Sequence, residues 1–404
     1  MVVVGEIRDY VWPLMRKELD EFYDVILRCY KCRYCHYVFA PDCRDEKFVS
    51  ICPSGERWRF DAYYASGKME IARGLVEGRL KWSEDLAHIL YTCTTCGACH
   101  IWGEFIGRCY PLFIIERLRK GYVENVGPLP NHKALLERVA KYGNIYGIST
   151  HYSTSLLDAL EGIPEKAETI YFLGCAIAYR RNEIARATIN VLKKLKVDFG
   201  ILRSERCCGG LLARLGLVDD GVNLLKENVR LLKEAGAKRV VFSCPECLKT
   251  FSDATRYGLE RLDFELLHIA QFLEEKISRF KLKSPDVLLK VAYHDSCYLG
   301  RHMLIFESPR NLLKSIEGLE YVEFLRNRRN AWCCGAGGGV AYTYPEFALW
   351  VAEKRFEEAK YIGANTIATA CPHCKDNLSK VSSVFDIKVY DVIELLDKAL
   401  GGLT

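Results

Sequence analysis

Cysteine constrains this chain more than any other residue, because its nineteen copies fall in runs. Cys29-Tyr-Lys-Cys32-Arg-Tyr-Cys35 and Cys93-Thr-Thr-Cys96-Gly-Ala-Cys99 are two CxxCxxC trios. Farther on, Cys175, Cys207-Cys208 and Cys244-Pro-Glu-Cys247 make a set of five. Cys297, Cys333-Cys334 and Cys371-Pro-His-Cys374 make another. Secreted disulfide scaffolds are usually shorter and lack such runs, whereas clustered cysteines in a chain that is not exported bind metal. The start, Met1-Val-Val-Val-Gly-Glu-Ile-Arg-Asp, reaches charge too early for a signal peptide. No apolar run attains the ~18 residues of a membrane span. A cytoplasmic protein is therefore expected. A net charge of +5 lacks the basic excess of a nucleic-acid binder. Glutamine occurs once, at Gln271, while Lys and Glu abound, a bias of thermophile proteins.

Residues 5–28 read as helix. Further helical stretches are expected near Lys68–Glu77, from Ser83 toward Cys93, and over His132–Lys141, with a break at Gly127-Pro-Leu-Pro130. From about residue 165 the texture changes to alternating strand and helix. Thr169–Gly174 leads into Cys175, and Arg239–Ser243 into Cys244, with a helix over Arg181–Leu195. Lys290–His294 then leads toward Cys297, and Asn365–Ala370 into Cys371. Cys175 and Cys297, Cys207 and Cys333, and Cys244 and Cys371 are offset by 122, 126 and 127 residues. A near-constant offset with matched chemistry marks an internal repeat of two α/β units. The fold class is α+β and multidomain: a mainly helical, ferredoxin-like domain over residues 1–150, then two α/β units over 165–282 and 285–404. Alternating strands and helices favour parallel sheets.

Cysteines at i, i+3 and i+6 wrap three corners of a cubane [4Fe-4S] cluster, and the fourth thiolate comes from elsewhere. In two-cluster ferredoxins a cysteine before proline serves the other cluster. Cys52-Pro53 fits that role; Cys109 is its counterpart, though Tyr110 intervenes before Pro111. One cluster is thus assigned to Cys29, Cys32, Cys35 and Cys109, the other to Cys93, Cys96, Cys99 and Cys52. The spacers depart from the compact motif: 16 residues separate Cys35 from Cys52 and 9 separate Cys99 from Cys109. Cys43, inside the first spacer, competes with Cys52. Zinc is the rival metal, but its structural sites use paired CxxC motifs.

Each five-cysteine set holds one thiol more than a cubane requires. Both vicinal pairs precede glycine, Gly209-Gly210 and Gly335-Ala-Gly337-Gly338-Gly339, which lets backbone approach a bulky object closely. A vicinal disulfide, zinc alone, or plain glycine turns each explain part of the pattern, but not its duplication. Arg203 and Arg206 precede Cys207, and Arg326, Arg328 and Arg329 precede Cys333. Such cations compensate thiolate charge, lie solvated, or meet an anionic substrate. His294 and His373 stand beside cysteines, as sulfur donors or as packing.

This spacing resembles the cysteine-rich CCG domain of the heterodisulfide reductase family. The resemblance covers about residues 25–400 and includes Lys141-Tyr-Gly-Asn144 as a connecting segment. It is to members that fuse two ferredoxin-type clusters to two CCG domains, and it implies a non-cubane [4Fe-4S] cluster on each five-cysteine set. It further implies an oxidoreductase subunit that passes electrons from two cubane to two non-cubane clusters and cleaves a small-molecule disulfide. The substrate would be the coenzyme M–coenzyme B heterodisulfide or a related couple. The partner would be a membrane cytochrome b-type subunit or a flavoprotein subunit. Electron-relay subunits of glycolate, D-lactate and glycerol-3-phosphate dehydrogenases share the layout and form the rival reading. A redox or zinc-bearing scaffold is a third. No GxGxxG flavin fingerprint in a strand–turn–helix setting is present.

Overall fold

The computed structural model describes residues 18–38, 40–42, 44–149, 154–277, 280, 282–283 and 289–401. Cys43 lies outside the described residues, as does the first half of the helix read over 5–28. The described remainder of that stretch holds a 3-10 turn at Asp20–Phe22 and the short helix Tyr23–Leu27. Helices follow at Pro53–Trp58, Ala65–Val76, Leu86–Tyr91, Ala98–Gly107, Pro111–Asn125 and Pro130–Tyr142. Three of them open on proline, whose missing N–H costs nothing in the first turn. The break at Gly127–Pro130 stands between the last two. Among the described residues no helix is long and apolar enough to cross a membrane.

The rest of the chain is α/β. Strands β1 (Thr169–Phe172), β2 (Arg239–Phe242) and β3 (Glu265–His268) form a parallel sheet in that order. A minor pair joins β4 (Leu282–Lys283) to a later strand. Then come β5 (Leu289–His294), β6 (Ile316–Glu317, the partner of β4), β7 (Leu319–Val322), β8 (Thr366–Thr369) and β9 (Lys388–Asp391). The second parallel sheet runs β7-β5-β8-β9. A single bridge from Ile170 to Gly200 stands where β7 pairs with β5, so both sheets share one strand order. β1, β2, β5 and β8 are the apolar runs expected ahead of the cysteines. β3, β7 and β9 lack that signal: Glu-Leu-Leu-His, Leu-Glu-Tyr-Val and Lys-Val-Tyr-Asp are short, half-exposed edge or near-edge strands with a mixed pattern.

The two units pack reciprocally. Helix Asn182–Lys194 of the first packs on Val392–Ala399 of the second, and Glu307–Lys314 of the second packs on Ile269–Ile277 of the first. Pro245–Ser252 lies against the turn Tyr298–His302, and Pro372–Ser379 against Cys175–Tyr179. Exchanged contacts of this kind define a pseudo-two-fold relation. Across it Arg181 meets Asp376 at 3.0 Å and Lys375 meets Glu183 at 2.7 Å. One apolar core runs through both units.

Arg119, on helix Pro111–Asn125, is fully buried where the helical part meets both units. Nη2 donates to the carbonyls of Leu90 (2.9 Å) and Cys93 (2.6 Å). Nη1 donates to those of Arg214 (3.1 Å) and Gly338 (2.9 Å). Its cation also lies 4.9 Å from the Tyr91 ring centroid. Hydrogen bonds to a charged group contribute roughly 1.5–3 kcal/mol each, and orphaned buried carbonyls cost more. Arg119→Met is therefore expected to destabilise the protein by at least about 3 kcal/mol, read as a fall in the anaerobic urea midpoint. Arg119→Lys should recover less than half, since an ammonium lacks the planar fork. An unchanged midpoint in the Met variant would remove Arg119 from this role.

Candidate metal centres

The described cysteines are all free thiols, and most are buried. Cys29, Cys32, Cys35 and Cys109 line one cavity, and Cys52, Cys93 and Cys96 line a second; Cys99 borders both. The two trio loops have the same backbone. Lys31 and Arg33 take left-handed φ values of 52° and 64°, and at matching positions Thr95 and Gly97 take 48° and 73°. Alternating hands turn successive N–H groups into a concavity, the anion-binding nest found around iron–sulfur sites. Cys52 is the N-cap of Pro53–Trp58. Cys109 reaches its place because Tyr110 absorbs the extra residue in a left-handed turn before Pro111 opens its helix. A hydrogen bond from Cys109 holds the Cys29 thiol down to about 6, and burial pushes Cys52 up to about 11 against the pull of buried Lys68.

The five-cysteine sets are built alike. In the first, hydrogen-bonded sulfurs run Cys175, Cys207, Cys208, Cys247, Cys244. In the second they run Cys297, Cys333, Cys334, Cys374, Cys371. The middle sulfurs, Cys208 and Cys334, accept from both neighbours and are held well below the ordinary thiol value. β1 and β5 run toward Cys175 and Cys297. β2 and β8 run into Cys244 and Cys371, each the N-cap of a helix opened by proline. A helix N-terminus favours thiolate there. At Gly174, φ 73°, a Cβ would stand 3.0 Å from the Cys247 sulfur, so only glycine leaves the sulfur its room. Five adjoining soft donors exceed the four of a tetrahedral zinc site. Buried thiols, helix N-termini and nests fit iron–sulfur ligation.

Other side chains point at these sulfurs. One His294 nitrogen lies within 4.8 Å of the sulfurs of Cys334 and Cys374. Its Nδ1 accepts from Arg355 Nε at 3.1 Å, which leaves the ring proton on Nε2, and burial lowers its pKa to about 3. His373, from the second unit, hydrogen-bonds the sulfur of Cys244 in the first and stands 3.3 Å from Glu246. His373, Cys334, Cys374, Tyr298 and Tyr342 border a cavity at the second set, and Glu246 reaches it from the first unit.

The helical part abuts the second set directly. The sulfurs of Cys96 and Cys333 are in hydrogen-bond contact. His302 donates to the Thr95 carbonyl at 3.0 Å, and Tyr298 lies 3.3 Å from the Thr95 hydroxyl. A Cβ at Gly337 or Gly338 would stand 2.5 Å from Thr94 O or 2.8 Å from Cys93 O. The object these glycines admit is therefore the other cysteine loop. On the first unit, Gly143 of the connecting segment accepts the Cys207 N–H at 2.8 Å.

The arginines divide. Arg326 does not face a ligand: it is 4% exposed, pairs with Glu358 at 2.9 Å and donates to the Ser50 carbonyl. Its place among substrate candidates is withdrawn, because its charge serves a buried contact between domains. Arg328 pairs with Glu307 and Glu323, while Arg329 is exposed; both border a groove of about 420 Å³ away from the five-cysteine sets. Arg206 pairs with Glu227, and Arg203 donates to the carbonyls of Leu160 and Ile163. Sequence reasoning missed Arg119, Arg355 and Tyr342, which carry no local signal and are placed beside the cysteine loops by the fold, and Glu246, whose place inside the Cys244–Cys247 motif was the signal that could have found it.

The 4Fe-4S dicluster domain matches residues 25–101, and the cysteine-rich domain matches twice, at 169–252 and 291–379. A component of the dihydromethanophenazine:CoB–CoM heterodisulfide reductase of Methanosarcina acetivorans is 38% identical over 327 residues, covering 79% of this chain and 80% of that protein. Its counterpart from Methanosarcina mazei is 37% identical with the same coverage. A component of the fumarate reductase (CoM/CoB) of Methanothermobacter marburgensis is 32% identical, covering 77% of this chain and 61% of that protein. A solved structure of a hypothetical protein from Helicobacter pylori shares the fold with a TM-score of 0.54 at 11% identity, covering 95% of this chain and 77% of that one. With trio loops, paired five-sulfur sets and these relatives in agreement, the chain belongs to the heterodisulfide reductase family and is an iron–sulfur oxidoreductase subunit.

Proposed function

We propose that the chain reduces a heterodisulfide, with electrons entering at two cubane [4Fe-4S] clusters and leaving at two non-cubane ones. The observation that carries the reading is the pair of five-sulfur chains in the same order, one in each α/β unit, related by the pseudo-two-fold. The cubanes are assigned to Cys29, Cys32, Cys35 and Cys109, and to Cys52, Cys93, Cys96 and Cys99. The non-cubane clusters are assigned to Cys175, Cys207, Cys208, Cys244 and Cys247, and to Cys297, Cys333, Cys334, Cys371 and Cys374. Bound there, iron–sulfur clusters supply single electrons and an iron site for a substrate sulfur. The protein supplies position and electrostatics. One ring nitrogen of His294 stands within 4.8 Å of the Cys334 and Cys374 sulfurs, and His373 and Glu246 wall the cavity at the second set. The disulfide bond takes two electrons from a partner and two protons from water, and leaves as two thiols. The coenzyme M–coenzyme B heterodisulfide, which the relatives' names print, is the substrate we assign, or a related thiol–disulfide couple.

Electrons enter near Cys32, the one exposed cysteine among the described residues. The partner is a membrane cytochrome b-type subunit or a flavoprotein subunit. The chain then works in the cytoplasm, at the membrane face where the partner is a cytochrome.

Four clusters require about 16 iron per chain, with little zinc, in anaerobic metal analysis. About 8 iron with one or two zinc would take the clusters from the five-cysteine sets. Cys52→Ser should lose or weaken one cubane signal in electron paramagnetic resonance, whereas Cys43→Ser should keep all signals. The reverse result gives the ligand place to Cys43. Given an artificial low-potential donor and no flavoprotein, the purified chain should reduce a heterodisulfide. Cys334→Ser should abolish that activity and spare the cubane signals. A fully iron-loaded chain that only relays electrons from a hydroxy-acid flavoprotein would be a relay subunit instead.

A further inference from the structure

One side chain outside every cysteine motif lies between the Cys93–Cys99 loop and the second five-sulfur chain. Arg301 sits four residues past Cys297 in the π-helical turn Tyr298–His302 and is 6% exposed. Single π turns recur at functional sites, because they displace a side chain that a regular helix would place elsewhere. Arg301 Nε donates to the Cys96 carbonyl at 2.8 Å. Nη1 donates to the carbonyls of Ala331 at 2.5 Å and Arg329 at 3.3 Å, in the segment that leads into Cys333. Nη2 is buried without a partner, and no carboxylate pairs with Arg301 among the described residues.

A buried guanidinium with neither a carboxylate nor a use for its last nitrogen is costly unless another anion balances it. The nearby carboxylate, Asp295, is already paired with Arg310, and the other anions on hand are sulfurs. Arg301 bonds the Cys96 peptide, sits four residues past Cys297 and clamps the segment that leads into Cys333. Those three cysteines belong to two different sets, and Cys96 and Cys333 touch. The same cation therefore serves both.

We propose that Arg301 is the positioning residue of the junction between the Cys52, Cys93, Cys96 and Cys99 centre and the second five-cysteine centre, holding them at a set separation and raising the reduction potential of each. The inference rests on the cluster assignment above. Its fork clamps the peptides of Cys96 and Ala331, which settles the distance electrons cross. Its charge favours the reduced form of either centre, since each added electron makes a centre more negative and hydrogen bonds and nearby charge set the potential. Without that charge the electron remains longer on the partner's side of the junction. The alternative is a purely structural arginine, whose loss would loosen the turn and leave the potentials alone.

The test uses the full chain, loaded with iron anaerobically, in redox titrations followed by electron paramagnetic resonance. Arg301→Gln keeps donors and removes the charge. With full iron it should lower the potential of one or both flanking centres enough to change electron partition at least tenfold, about 59 mV for one electron. Arg301→Lys should restore most of that shift, and the Cys29, Cys32, Cys35 and Cys109 centre should keep its potential in both variants. Unmoved potentials in a fully loaded Arg301→Gln protein overturn the proposal, as does an equal fall in Arg301→Gln and Arg301→Lys. Where Arg301→Gln loses iron, Arg301→Lys decides: full iron at wild-type potentials, against the loss in Arg301→Gln, shows that the junction needs the charge and supports the role, and iron loss or a tenfold shift in partition in Arg301→Lys overturns it. A wild-type chain that binds only about 8 iron overturns the cluster assignment and this inference together; full iron with unmoved potentials overturns this inference alone.

Discussion

Arg119 spends its N–H groups on the carbonyls of Leu90, Cys93, Arg214 and Gly338, one set of contacts in the helical part and one in each α/β unit. Among the described residues no strand pairing joins the helical part to either unit, and the two-residue β4–β6 pair is all that bridges the boundary between the units. Their relative placement therefore depends on side chains that reach across, and a buried guanidinium is the most demanding of these. Its five donors are planar and rigid, so they accept only carbonyls in a narrow set of directions. Satisfying them brings Cys93 next to Gly338, which glycine alone permits. The contact between Cys96 and Cys333 follows from that approach. The proximity of the trio loop to the second sulfur chain is in this sense a consequence of how one arginine is satisfied.

The two α/β units keep a common plan while exchanging the parts that execute it. In the first, Glu205 lies ahead of the vicinal pair and accepts the N–H groups of Leu173 and Gly174 at the end of β1. In the second the acid stands at the other end of the same link: Asp295, just past β5, accepts the N–H of Arg328 ahead of its vicinal pair. Either arrangement ties the strand end to the loop that carries CysCys, which keeps the first three sulfurs of each chain together. Burial raises Glu205 to about 8, so that tie is a costly one for an anion and stands by virtue of two backbone donors. Asp295 is served instead by Arg310, at 2.6 Å. What the repeats preserve is the position of sulfur; the supporting chemistry differs between them.

The strands that end at cysteines are legible in the sequence because a buried parallel strand must be a continuous apolar run, and β1, β2, β5 and β8 are such runs. β3 and β9 pair on one side only, carry charge, and offer no such run. The trio loops are legible from spacing, since three sulfurs around a small object need that interval. Which distant cysteine joins which trio is a matter of tertiary placement: Cys29 meets Cys109, and Cys52 shares a cavity with Cys93 and Cys96. The basic run before Cys333 misleads in one respect. Charge in a sequence says nothing of burial, and Arg326 turns inward to Glu358 while Arg329 stays exposed. Glycines after the vicinal pairs signal room for a large group. Part of that room, at Gly337 and Gly338, is taken by Thr94 and Cys93.

Arg119 and Arg301 flank the same Cys93–Cys99 loop, and neither meets a carboxylate among the described residues. Carbonyl dipoles satisfy their hydrogen bonds but cannot neutralise two buried charges, each of which would carry a desolvation penalty of several kcal/mol. Neutral thiols offer no counterion either. Thiolates do, and metal ligation takes the proton from all the ligand cysteines together. The buried arginines and the buried cysteines thus make complementary demands that are met together once metal is bound. Folding of the junction and loading of its centres become one equilibrium, in which the metal contributes stability wherever the ligands are not preformed in the unfolded chain. That coupling explains why a fold of this size tolerates so many sulfurs and cations in its interior: each set is held by the charge of the other.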